Sequence, residues 1–219
     1  MQSDDFDTLA ARADLVRLLA ACFYQPGPEF EQERLFASLA QAAAPVDPDL
    51  GATAGRLGEA FAAEDLEDLL IEYTRLFLGP VDTVAQPYGS VWLEPSPGLM
   101  QDSTQAVVAL YAEGGFELAE DFRDLPDHVS AELEFLYLLL FRRAEALRSG
   151  DTAAGEFASR LQRRLLDEHL GRWVPRFAAA VRAGSRSAFY RELAELMDAV
   201  TRFEAAASGA REPATPSAN

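Results

Sequence analysis

LPDHVSAELEFLYLLLFRRAEALRSG, residues 125–150, decides the fold. From Leu133 to Phe141 every residue except Glu134 is apolar. A helix that is apolar nearly all round is a buried, central one. Pro126 stands where a first helical turn tolerates proline. A central helix must be wrapped by others, and the rest of the chain has the matching period.

Residues 4–24 place Leu9, Ala13, Val16, Leu19 and Phe23 on one helical face, and QPGP at 25–28 stops that helix. A second helix is expected from Pro28 or Glu29 to Ala43, and a third over about 49–62. The fourth, AEDLEDLLIEYTRLFLG, starts acidic and ends on Gly79, which suits the helix dipole and the C-terminal cap. A fifth covers about 99–113. The sixth is the central one, and the seventh to ninth cover about 151–169, 172–183 and 186–206. No strand pattern of useful length and no repeat appears. The expected fold is all-α, a single bundle of about nine helices spanning residues 1–206. The small, polar segment 207–219 is expected to be a disordered tail.

Between the fourth and fifth helices lies GPVDTVAQPYGSVWLEPSPG, residues 79–98, expected to be a long irregular loop. Loops of that length are uncommon unless functional or disordered. Its aromatic and β-branched content argues against disorder. Tyr88, Val91, Trp92 and Leu93 must therefore cover a core, dock on a neighbour or receive a ligand.

The charge narrows the partners. Nineteen basic residues, all arginine, face 36 acidic ones, for a formal net charge of −17. That argues against nucleic acid and against anionic membrane surfaces. Cys22 is the only cysteine, so no internal disulfide forms, as in a reducing compartment. The acidic start MQSDDFDTLAARADL lacks the basic and apolar regions of a signal peptide, and no stretch suits a membrane span. A cytoplasmic location is expected.

Catalytic patterns are scarce. The chain has no phosphate-cradling glycine motif and no nucleophile elbow around Ser90. His128 and Glu132 share a helix face at i, i+4, with Asp127 beside them. That trio could bind metal, contact a ligand at a groove mouth, or simply satisfy first-turn amides. Glu132 and Glu134 point to different faces, so one is expected to be solvated and the other a buried partner of an arginine.

Four segments in order, EYTRLFLGP (72–80), PYGSVWLEP (87–95), LPDHVSAELEFLYLLL (125–140) and LDEHLGRWVPRF (166–177), resemble the TorD/DmsD/NarJ family of redox-enzyme maturation chaperones. The likeness runs from about residue 9 to 203. It implies a cytoplasmic TorD-like chaperone, not an enzyme, that needs no cofactor. Its partners would be the twin-arginine signal peptide and the body of a molybdopterin oxidoreductase subunit, held until cofactor insertion. It allows a monomer or a domain-swapped dimer. The peptide site it implies comprises Tyr88, Gly89, Ser90, Val91, Trp92, Leu93, Pro126, Asp127 and His128, to which Glu132 is added on position alone. The family's hinge often has an acid directly before its proline; here Leu125 holds that place and Asp124 sits one earlier. The rival readings are a small metal- or nucleotide-dependent helical enzyme using Asp127, His128 and Glu132, and a general helical interaction module.

Overall fold

The computed structural model describes residues 5–79, 83–94, 98–119 and 122–209. The α-helices are α1 (Phe6–Ala21), α2 (Glu29–Gln32), α3 (Leu35–Ala43), α4 (Pro48–Ala62), α5 (Leu66–Tyr73), α6 (Gly89–Leu93), α7 (Asp102–Gly114), α8 (Val129–Ser149), α9 (Thr152–Arg164), α10 (Leu170–Gly184) and α11 (Ala188–Ser208). Two π-helical turns, Thr74–Leu78 and Leu165–His169, extend α5 and α9. Among the described residues the chain is all-α, as the periodicity requires.

α8 is the central helix. Leu133, Phe135, Leu136, Leu139 and Leu140 are fully buried on it. It packs against α1 and α9, while α10 packs on α11 and α11 on α4. The expected face of α1 is buried too, from Leu9 through Leu19. Phe30, Phe36, Phe61 and Phe189 stack with ring centroids 4.6–6.0 Å apart, clamping α2, α3 and α4 onto α11. Each such ring pair contributes about 0.5–1.5 kcal/mol beyond its buried area.

Side chains cap the helices where the sequence carries short polar residues. Asp5, Asp47, Asp151 and Ser187 accept from first-turn amides of α1, α4, α9 and α11. Gly115, Gly150 and Gly209 follow α7, α8 and α11 with φ of 61°, 74° and 68°, the left-handed conformation that favours glycine.

Four local expectations are corrected. The second helix is broken, because Arg34 adopts φ 55° and divides α2 from α3. The segment 79–98 is not wholly irregular: α6 lies within it, while residues 80–82 and 95–97 lie outside the described residues. The seventh and eighth expected helices meet without a loop, through the π turn. Pro175 has no N–H to bond back along α10. An added Cβ on Gly171 would lie 2.3 Å from the Leu166 carbonyl oxygen, so the turn requires glycine there. Finally, residues 207 and 208 belong to α11; the rest of the expected tail, 210–219, lies outside the described residues.

Candidate functional site

Two stretches expected to form the site run side by side. The Gly89 amide donates to the Asp127 carbonyl at 2.8 Å, and the Val129 amide to the Pro87 carbonyl at 2.9 Å. Tyr88 and His128 thus form an antiparallel bridge that moors the start of α6 to the start of α8. Asp127 Oδ2 accepts from the Ser90 amide at 2.8 Å, so this carboxylate satisfies the first turn of α6 rather than that of its own helix. Asp127 Oδ1 and Ser90 Oγ are buried with no hydrogen-bond partner among the described residues.

α8 is capped instead by His128, whose Nδ1 accepts from the Ser130 amide at 3.2 Å. An accepting Nδ1 leaves the ring proton on Nε2 of a neutral imidazole. Tyr88 and Phe122 flank the ring at 5.3 and 6.5 Å. Burial lowers its pKa to about 4, against the opposing pull of Asp124 and Asp127. His169, in the second π turn, is lowered to about 4 as well, by burial and by Arg164 and Arg172, against Asp127.

Glu132 is fully buried. Its two oxygens lie 3.2 and 3.1 Å from the indole Nε1 of Trp173 on α10. Burial raises its pKa well above the carboxylate range, Asp127 adds to the rise, and the Trp173 hydrogen bond opposes it. Burial therefore favours the neutral carboxyl. The buried member of the Glu132–Glu134 pair is thus identified, and its partner is an indole rather than an arginine. Gly89 packs directly on this contact: an added Cβ would lie 3.0 Å from Glu132 Oε1 and 3.2 Å from Trp173 Nε1.

Gly89, Ser90, Asp127, His128 and Glu132 therefore form an interior knot, not an acidic rim. Asp127 is 1% exposed and Glu132 0%. Tyr88, Val91, Trp92, Leu93 and Pro126 are each partly exposed. Trp92 leans on Phe177 with ring centroids 6.0 Å apart, and its Nε1 donates to the Gln86 carbonyl at 2.8 Å. Arg176 donates to the Trp92 carbonyl. The Pro126 carbonyl accepts from Tyr111 Oη at 2.9 Å. No group of three His, Cys, Asp or Glu side chains among the described residues is arranged to hold a metal ion.

The accessible carboxylates are ones the sequence did not assign to the site. Asp124 accepts from Tyr88 Oη at 2.8 Å, and Glu134 from Tyr24 Oη at 2.6 Å. Both are partly exposed, and neither has an ion-pair partner among the described residues. Burial, then Glu134 and then Asp124 push the Tyr24 hydroxyl up to about 12, so both acids act on one ring. Only Asp124's position one step off the usual hinge acid signalled it.

The histidine shifts place both titrations below the usual imidazole range. Both rings are neutral at pH 7, and stability should fall as pH drops through the window from 6.5 to about 4, where the unfolded chain binds more protons. Each ring accounts for up to about 3 kcal/mol. Below that window Glu72 adds its own loss between 4.5 and about 2: burial opposes its ionisation, but Arg75, the Arg186 amide and Ser185 outweigh it. Glu132, raised by burial, titrates in the opposite sense, so the test is run in a Glu132→Gln background, where urea midpoints should fall monotonically from pH 7 through 5.5 to 4.5. A midpoint that rises on acidification in that background excludes neutral buried histidines.

Comparison with known proteins agrees with the fold. Residues 43–179 match the family model described as nitrate reductase delta subunit. The Tat proofreading chaperone DmsD of Salmonella typhi is 30% identical over 200 residues, covering 90% of this chain and 87% of that protein. The chaperone protein TorD of Salmonella paratyphi B is 27% identical, covering 72% and 70%. A crystal structure from Archaeoglobus fulgidus, of a protein described as a redox enzyme maturation protein, superposes with a TM-score of 0.52 over 92% of this chain and 96% of its own, at 20% identity. An all-helical fold with chaperone relatives along most of its length defines the class, a redox-enzyme maturation chaperone. The chain belongs to the TorD/DmsD/NarJ family.

Proposed function

We propose that this chaperone binds the twin-arginine leader of a molybdopterin-containing oxidoreductase subunit in the cytoplasm, without catalytic turnover, and holds that subunit until its cofactor is inserted. One observation carries the reading. Asp124 and Glu134 are partly exposed, steadied by tyrosine hydroxyls, and without an arginine against them among the described residues of a chain that has 19 basic residues, all arginine. Beside Asp124, the Tyr88–Leu93 segment presents partly exposed apolar side chains. A leader with paired guanidinium groups ahead of an oily run has the complementary chemistry. In this reading Tyr88, Val91, Trp92 and Leu93 meet the peptide. Gly89, Ser90, Pro126, Asp127, His128 and Glu132 set the position of that segment from behind.

Magnitudes apportion the work. An exposed arginine–carboxylate pair contributes about 0–1 kcal/mol. A well-buried Leu or Phe contributes about 1.5–3 kcal/mol. Micromolar affinity needs about 8 kcal/mol net of ordering costs. The apolar run supplies most of the affinity, and the acids select for arginine and set register.

The test uses a fluorescent synthetic peptide with two adjacent arginines ahead of a leucine–alanine run, titrated at low and high salt. Trp92→Ala should weaken binding about tenfold with helical circular dichroism intact, the loss expected for one partly buried ring. Asp124→Asn with Glu134→Gln should cost less and flatten the salt dependence. Wild-type affinity that is indifferent to salt refutes the electrostatic half of the reading.

A further inference from the structure

The outer face of α8 bears a row of side chains that the bundle covers only in part: Tyr137 and Leu138 pack against the core at their bases and Phe141 stands clear of it. Tyr137, Leu138 and Phe141 lie three, four and seven residues after Glu134, which places them on one stripe. Tyr137 and Leu138 are partly exposed, and Phe141 is 45% exposed. The Tyr137 and Phe141 rings lie 6.1 Å apart.

The two ends of the stripe differ in charge. At the N-terminal end stand Glu134, bonded to Tyr24, and the nearby Asp124, both without a cation among the described residues. At the other end Glu145 and Arg148 neutralise each other, Nη2 to Oε2, at 2.7 Å. The arginines between are turned away: Arg142 donates to the Gly114 carbonyl behind α7, and Arg143 to Gln162 on α9. The order along the helix is thus acidic, apolar, neutral.

We propose that this stripe is the track for the apolar run of the leader, with the paired guanidinium groups at Asp124 and Glu134 and the following residues laid over Tyr137, Leu138 and Phe141. The inference rests on the leader-binding reading and adds a direction and a second contact surface to it. The charge order of the stripe is that of such a peptide read from its arginines onward. Glu134 and Phe141 are about 10 Å apart along the axis, a span of about two helical turns or three extended residues of a bound peptide. The tyrosine-held carboxylates would then fix register, and the rings would measure how oily the run is.

Two peptides separate the contributions: the one above, and its counterpart with serines replacing the run after the arginines. The protein is compared with a Tyr137→Ser/Phe141→Ser variant whose fold is verified by thermal melting, beside the single Phe141→Ser variant should the double one melt early. The expected result is an affinity for the apolar peptide at least tenfold weaker in the variant, with the serine peptide unaffected. Equal affinities of variant and wild type for the apolar peptide would overturn the track while leaving leader binding intact. Wild type binding neither peptide would overturn both readings. If the substitutions abolish only a dimer seen by sedimentation and leave peptide affinity unchanged, the stripe is a contact between copies and the track is wrong.

Discussion

Glu204→Ala should unfold this protein far more readily than any change at its surface, with a loss of about 3–5 kcal/mol. Arg12 on α1 and Glu204 on α11 are each 1% exposed. The guanidinium meets the carboxylate in two hydrogen bonds, at 2.9 and 2.8 Å. Gln162 on α9 donates to the same carboxylate at 2.9 Å and accepts from Arg143 on α8 at 2.6 Å. Arg12 also lies 5.7 Å from the centre of the Phe203 ring. Three helices therefore meet at one carboxylate, and α8 joins them through Gln162. Arginine cannot shed its charge, so removing Glu204 leaves a cation stranded in the interior. Urea denaturation at pH 7 would show the loss as a lower midpoint at unchanged slope. Arg12→Met with Glu204→Leu should regain most of it, because no charge is then buried. A single variant within about 1 kcal/mol of wild type would mean that water reaches this network.

Trp173→Ala should cost about 3–5 kcal/mol, the range for removing a large buried aromatic side chain. Trp173 is fully buried, packs on Phe177 at 5.5 Å, and provides the indole that both Glu132 oxygens face. The cavity would open directly beneath Gly89, so α6 should loosen along with the core. On the leader-binding proposal, affinity for the arginine peptide should fall further than Trp92→Ala alone accomplishes. Glu132→Gln discriminates between cavity and charge. Gln keeps an acceptor for the indole and has no proton to lose. Because the folded pKa of Glu132 is raised, its contribution is fully present below 4.5 and is lost as pH rises. The Gln variant should therefore gain on wild type between pH 5 and pH 8. A gain that shrinks over that interval would show Glu132 ionised in the native state.

The helices were legible because their signals are local. Apolar spacing and end caps announce α1, α4 and α8 within their own residues. What escaped depends on distant neighbours. α6 has five residues, too few for a period, and its first turn is satisfied by Asp127, 37 residues away. Arg34 takes a left-handed conformation that no glycine or asparagine advertises. That one of Glu132 and Glu134 is buried was legible, but not which: Glu132 is the interior one, because Trp173 waits across the bundle. Asp127 and His128 were found as a pair, but which helix each caps follows from the bridge between Tyr88 and His128.

That bridge has a consequence for diversification. The bonds that fasten residues 87–89 to 127–129 run from amide to carbonyl, so they persist whatever hangs from Tyr88. The vocabulary displayed to a visitor can be rewritten at that position while its anchorage stays put. Display is thereby left to the side chain of Tyr88, and attachment to the backbone of its neighbours Pro87 and Gly89.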